Sequence, residues 1–156
     1  MSFTLTSPVT GGAQTGLTSP TYTLAADAAP TNSGKQYAVS GLGGTQSGVD
    51  TSSTPSRPFT ITLSRPPVLR TLPGVNSVTG LLPSVPRNVY KIIARKGVTP
   101  LTGQASQVAL ATVEISVPAG ADFSDAANVR AMLSLLIGAL NQISIGIGDT
   151  AVTGVI

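Results

Sequence analysis

The hydrophobic periodicity of this chain changes once, and the change comes late. Up to Pro118 the apolar residues alternate or fall in short β-forming runs; beyond it they recur at helical spacing. "RPFTITLSR" is the clearest strand, with Phe59, Ile61 and Leu63 on one face and Thr60, Thr62 and Ser64 on the other. That alternation marks a half-buried antiparallel strand. "SFTLTSPV", "SPTYTLAA", "GKQYAVSG" and "QVALATVEISVP" read as further strands. After them, Val129, Met132, Leu133, Leu136, Ile137 and Leu140 follow i, i+3, i+4, i+7, i+8, i+11, one stripe of an α-helix. Asp122 or Ser124 is placed to cap it, and Asp125 suits the positive end of its dipole. Two glycines in "SIGIGD" are expected to interrupt the helix, leaving "DTAVTGVI" room for one more short turn capped by Asp149.

The order is five or six strands, then one main helix: an α+β domain over residues 1–156, with a β part at about 1–118 and a helical part at about 122–156. Geometry then sets a demand. Five strands at ~4.8 Å spacing make a sheet about 24 Å wide, and one helix is about 10 Å across. A lone helix leaves much of the apolar face wet. A second helix from a two-fold partner covers it, so the chain is expected to dimerise with its helices on one sheet face. The other face is then free for Thr, Ser, Arg and Lys.

"PRNVYKIIARKG", residues 86–97, is ambiguous by itself. As a helix it is a basic amphipathic surface. As a strand it still puts Arg87, Lys91 and Arg95 on one face, about 13–14 Å between neighbours. Val89, Tyr90, Ile92 and Ile93 are β-formers, and Pro86 and Gly97 bound the run at strand length. With β before and after it, the strand is the better reading. Tyr90 and Ile92 then face the helices and the three cations face away.

Charge supports a function for that face. Charged residues are 10% of the chain and the net charge is +3. From Thr51 to Val113 there are seven basic residues of the nine in the chain and no acid. A one-signed centre of this length points to a polyanionic partner such as nucleic acid. Thr60, Thr62, Ser64 and Thr112 add hydroxyls for phosphate contacts. Aromatic residues are 4% of the chain, which argues against stacking of many bases.

Other chemistries find little support. The chain has no Cys and no His, which excludes disulfides, thiolate or imidazole metal sites and Ser–His or Cys–His catalysis. "SGKQ" fails as a P-loop, since Ala29 holds the first Gly position and Gln36 stands where Ser or Thr belongs. The acids are scattered, without paired-carboxylate spacing. No enzyme, metal or cofactor is expected. "MSFTLTSPVT" lacks the basic and apolar regions of a signal peptide, and "AMLSLLIGAL" is about half the length of a spanning helix. A soluble protein is expected. The 21 residues "PPVLRTLPGVNSVTGLLPSVP" hold five prolines, so they read as an extended connection whose apolar residues pack on something.

The last third, "ATVEISVPAGADFSDAANVRAMLSLLIGALNQISIGIGDTAVTGVI", resembles the end of coat proteins of single-stranded RNA bacteriophages, the leviviruses. The shared pattern is a β run with a central acid and a closing Pro ("VEISVP"), a turn to an Asp-capped helix with "VRAM" and "LL", a Gly break, and a short tail. "FTLTSPVTGGAQTG" also resembles that family's opening hairpin. The resemblance implies an N-terminal β-hairpin, a five-stranded antiparallel sheet, and C-terminal helices interlocking across a homodimer. It implies dimers closing into an icosahedral shell in the bacterial host cytoplasm, with the sheet facing the packaged RNA. In several members of that family the sheet also binds a genomic hairpin, which represses replicase translation. Strand matching carries RNA contact to Thr60, Thr62 and Ser64, to Arg87, Lys91 and Arg95, and to Thr112. "GVTPLTGQAS" sits where the family has a loop lining the symmetry axes. Leu110 falls where some members have a Tyr that stacks on a hairpin base, and the segment 66–86 is longer than the family's usual connection. Beside a coat protein, two readings remain open: a non-capsid RNA-binding dimer, and a structural surface or appendage protein.

Overall fold

A computed structural model describes residues 3–51 and 53–156. The strands are β1 (Val9–Thr10), β2 (Thr18–Asp27), β3 (Gly34–Thr45), β4 (Phe59–Ser64), β5 (Arg87–Val98) and β6 (Gln107–Pro118). They form one antiparallel sheet in sequence order. Helices α1 (Ala121–Ser124), α2 (Ala126–Gln142) and α3 (Ser144–Thr153) follow. The architecture is the expected α+β order. The opening hairpin is not a separate layer: its short first arm, Val9–Thr10, joins the sheet as a sixth strand.

Register assigns the faces, because paired residues share a side. Phe59, Ile61 and Leu63 lie opposite Lys96, Ala94 and Ile92 on β5 and, for the last two, Tyr37 and Lys35 on β3. Tyr90 continues this apolar face toward Ile115 on β6. A bulge at Ser40 sets Gly41 opposite Thr23 and Val39 opposite Leu24. Val39 and Leu42, three apart, therefore both face the apolar side, which breaks the period of two. The strand runs on to Thr45, through Gly41, Gly43 and Gly44.

The single chain covers this face poorly. The N-terminal segment crosses one end of it, with Phe3 edge-on to Tyr90 at 6.5 Å, and Tyr22 meets Phe59 edge-on at 5.6 Å. Buried apolar residues are only Val39, Leu63, Val117 and Ala119 among those described. No residue of α2 is buried, and the helix barely touches its own sheet. Along its stripe Ile137 is 66% exposed and Met132 49%, while Val129 and Leu133 are half-buried and Leu136 and Leu140 are exposed. A compact monomer of 15.6 kDa has about 7,200 Å² of accessible surface. This chain has 10632 Å², roughly 3,400 Å² more.

The helical end differs in detail from expectation. Gly120, at φ +87°, turns the chain out of β6, and a side chain there would crowd Leu72. Neither Asp122 nor Ser124 caps a backbone N–H; Ser124 Oγ instead donates to the Gly120 carbonyl, 2.8 Å. Asp125 occupies the N-cap position of α2 and accepts from the Asn128 side chain at 2.8 and 3.0 Å. The break falls at Ile143, where α2 and α3 meet at 63°. Gly146 and Gly148 lie inside α3, a ten-residue helix rather than a short turn. The tip of the opening hairpin holds it: Gln14 Nε2 donates to the Ser144 carbonyl at 2.8 Å, Ser144 Oγ to the Ala13 carbonyl, and Thr15 Oγ1 to Asp149 Oδ2 at 3.0 Å. No single helix is long and apolar enough to cross a membrane among the described residues.

Candidate nucleic-acid interface

The face opposite the apolar one collects the residues singled out from the sequence. Thr60 pairs with Arg95 and Ser64 with Lys91. On the far side, Ile93 pairs with Thr112, and Arg87 stands at the end of β5 opposite Pro118. All seven candidates, Thr60, Thr62, Ser64, Arg87, Lys91, Arg95 and Thr112, therefore share one side. The reason is local: four-residue spacing on a strand keeps the three cations in phase, and Thr-X-Thr-X-Ser on β4 keeps the hydroxyls in phase with them.

They are not equally presented. Arg87, Lys91 and Thr112 are exposed, and Arg95 and Ser64 half-buried. Thr60 and Thr62 are buried, with 7% and 3% of their surface accessible. Thr62 is a strut: Arg95 Nη1 donates to its Oγ1 at 2.7 Å, and that hydroxyl donates to Gln36 Oε1 at 2.8 Å. Gln36 Nε2 then donates to Asp27 Oδ2 at 2.7 Å. The chain of bonds crosses β5, β4, β3 and β2, running from a cation to an anion. The Gln36 amide, then the Ala28 N–H, hold the Asp27 carboxyl below the usual carboxylate range.

Register also brings in acids that the sequence keeps at a distance. Lys91 Nζ lies 3.0 Å from Glu114 Oε2, an exposed pair directly across β5 and β6. Arg87 Nε donates to Ser116 Oγ at 2.8 Å and Nη2 to the Ser116 carbonyl at 3.1 Å. The acid-free centre of the sequence is thus met in space by Asp27 and Glu114. The face keeps a positive excess, three cations against two carboxylates, rather than a wall of one sign. Asp27, Gln36, Glu114 and Ser116 are the members that sequence reasoning missed; only strand register identifies them.

Lys96 falls on the other side. Its ammonium sits 4.2 Å from the Phe59 ring centroid and donates to the Asp50 carbonyl at 2.8 Å. Burial, opposed by Asp50, lowers its pKa. Arg57 pairs with Asp50 at 3.3 Å, so these residues fasten the loop after β3 to the sheet. Ser106 Oγ donates to the Ser56 carbonyl at 2.7 Å, tying the β5–β6 loop to the same place. The tyrosines follow suit: Tyr22, Tyr37 and Tyr90 all lie on the apolar face, as does Phe59. None of the described strands carries an aromatic ring on the cation face. Gly34, Lys35 and Gln36 lie within β3, which is not the strand–loop–helix setting of a phosphate loop.

Opposite edges of the sheet also differ. β1 is two residues long, whereas β6 presents twelve residues with no strand beyond it among those described. Gln107 to Thr112 on that edge are all exposed.

No protein-family model matches the sequence, and no curated protein matches it. A solved structure does: the virus-like particle of bacteriophage ESE020 contains a chain 55% identical, with 99% of this chain and 100% of that chain aligned and a TM-score of 0.96. That score includes the helices. Displacing the 17 residues of α2 leaves 139 of 156, a ceiling of about 0.89, so α2 stands off its own sheet in both chains. With more than half its residues shared over the full length of a particle-forming chain, the protein is structural rather than an enzyme, and it belongs to the bacteriophage coat proteins.

Proposed function

We propose that this chain assembles as two-fold dimers into a closed icosahedral shell that packages single-stranded RNA against the cation face of its sheet. The observation that carries the reading is the uncovered apolar layer. The excess of roughly 3,400 Å² is of the size that obligate interfaces bury. An α2 helix without a buried residue, beside a sheet face that its own chain covers only in part, fits reciprocal exchange between two copies. The open β6 edge fits a continuous sheet across the two-fold axis. Apolar faces then meet helices, and the cation faces of both chains point to the same side, where RNA is contacted.

Contact on that side is through Arg87, Lys91, Arg95, Ser64 and Thr112, with Thr60 at the floor and Thr62 bracing Arg95. These groups suit phosphate and sugar. With no ring on that face of the strands, recognition of a genomic hairpin by the sheet would rest on hydrogen bonds rather than stacking. Leu110, 64% exposed opposite Arg95, offers an apolar surface where a stacking residue would stand. Assembly takes place in the host cytoplasm, where the RNA is made.

Electron microscopy of the expressed protein, with the ratio of absorbance at 260 and 280 nm, tests the whole reading. The expected result is closed particles with a nucleic-acid spectrum. Tyrosine is the only strong chromophore, three per chain and no Trp, so a disassembled, RNase-treated control sets the protein baseline. RNA-binding dimers that never close would favour a non-capsid module. Salt-insensitive assemblies without RNA would favour a surface or appendage protein.

A further inference from the structure

The connection between β4 and β5 carries a second apolar surface, separate from the helix stripe. Several of its apolar side chains, expected from the sequence to pack on something, stand in the open. Val68 is 78% exposed, Val75 58%, Val78 91% and Leu81 68%. From Thr71 to Val85 there is no charged residue. Such a stretch in water would ordinarily be a flexible liability, yet this one is built.

Two anchors fix its root. Asn88, 4% exposed, accepts from the Arg70 N–H at 2.8 Å and donates through Nδ2 to the Arg70 carbonyl at 3.1 Å. Leu72 packs against Gly120, where β6 passes into α1. Asn76 then closes the tip: its N–H donates to the Leu81 carbonyl at 2.9 Å, its carbonyl accepts from the Gly80 N–H at 2.8 Å, and its Oδ1 accepts from the Val78 N–H at 2.9 Å. Gly80 supplies the left-handed turn, φ +67°. Prolines 66, 67, 73, 83 and 86 restrict the rest.

The shape also recurs in an assembled particle. Setting residues 66–86 aside, 21 of 156, leaves 135, a ceiling of about 0.87 on the structural similarity, against the 0.96 observed with the particle-forming chain. An uncharged, preorganised apolar tongue, kept in a chain that packs among copies of itself, has copies of itself as its natural partner.

We propose that the segment from Pro67 to Val85 is a docking tongue, whose tip around Val78 and Leu81 seats on a second copy of this chain in the shell. This rests on the assembly reading above. It adds an intersubunit contact distinct from the α2 stripe and from the β6 edge, and one rooted where α1 begins, so that neighbouring copies are gripped beside the helix exchange.

The chain has no cysteine, so a V78C variant carries a single thiol. Its reaction with N-ethylmaleimide is followed in intact particles and in chains dissociated from them. The expected result is at least a tenfold slower reaction in particles. In parallel, V78D/L81D is expected to lower particle yield at least tenfold while keeping the circular dichroism and RNA affinity of the parent. Equal thiol reactivity in both states would overturn the proposal, since the tongue would then be open to molecules outside the shell. Parental particle yield from V78D/L81D would overturn it too. Failure of the parent chain to form particles would count against the assembly reading instead.

Discussion

Ile137→Ala isolates the contribution of the α2 stripe to the proposed pairing of two chains. Ile137 is 66% exposed in the single chain, so about two-thirds of its side-chain burial remains to be gained from a partner. The substitution removes three carbons, each worth about 0.8 kcal/mol when buried. Two-thirds of that is about 1.6 kcal/mol per chain, and two-fold symmetry doubles it to about 3 kcal/mol per dimer. The dimer dissociation constant should therefore rise about a hundredfold. The helix itself should not weaken, since Ala is the better helix former by a few tenths of a kcal/mol. Sedimentation of dissociated dimers over a dilution series measures the constant, and circular dichroism checks the fold. A constant within about threefold of the parent, with helix content kept, would show that Ile137 meets no partner and that the exchange of α2 is wrong.

The remaining predictions concern the polar face, the loop latch and acid stability. Replacing Arg87, Lys91 and Arg95 together by Gln should weaken RNA binding and reduce the slope of log affinity against log salt by up to about 2; filter binding at several salt concentrations reads it, with dimerisation unchanged. Glu114→Gln should do the reverse, because it releases Lys91 from its 3.0 Å partner; an unchanged affinity would mean that Lys91 faces no phosphate. Gly97→Ala should destabilise the chain by about 1–3 kcal/mol, because a Cβ there would lie 2.6 Å from the Arg57 Cα, and thermal melting of dimers checks it. Asp27 has a lowered pKa when folded, so its contribution is present above the ordinary carboxylate value and lost as pH falls through the folded one. Asp27→Asn should accordingly flatten the acid limb of stability against pH, which denaturant titrations at several pH values follow.

Strand β4 is legible in the sequence because nothing interrupts its period of two. Strand β5 is legible from its β-forming residues, its bounding Pro86 and Gly97 and the strands around it; once it is a strand, the four-residue spacing places Arg87, Lys91 and Arg95 on one face. The bulge at Ser40 is not legible. It lets Val39 and Leu42 share a face at a spacing that neither strand nor helix periodicity contains, and it hides the second half of β3 among glycines. Helix α3 is missed for a related reason. Gly146 and Gly148 lower helix propensity, but Ser144 and Asp149 are tied to Ala13, Gln14 and Thr15 from more than a hundred residues away. At Gly148 a side chain would displace the Gln14 amide, which bonds the Ser144 carbonyl, so a larger residue there would disturb this tie. The candidate interface is half legible. Its cations and hydroxyls are visible, while Glu114 beside Lys91 and Asp27 at the end of the Arg95 network depend on register, which sequence spacing does not encode. Sheet width against one helix, read from the sequence, sets the expectation of a partner, and the exposed α2 is where the proposed partner would be met.

The most direct test of the account is a reconstruction of the assembled particle by electron cryomicroscopy, at a resolution that traces helices and sheet faces. The account predicts α2 of each chain lying across the apolar face of its partner, with Arg87, Lys91 and Arg95 lining the lumen against RNA density. A shell with α2 folded onto its own sheet, or with those three cations on the outer surface, would contradict it.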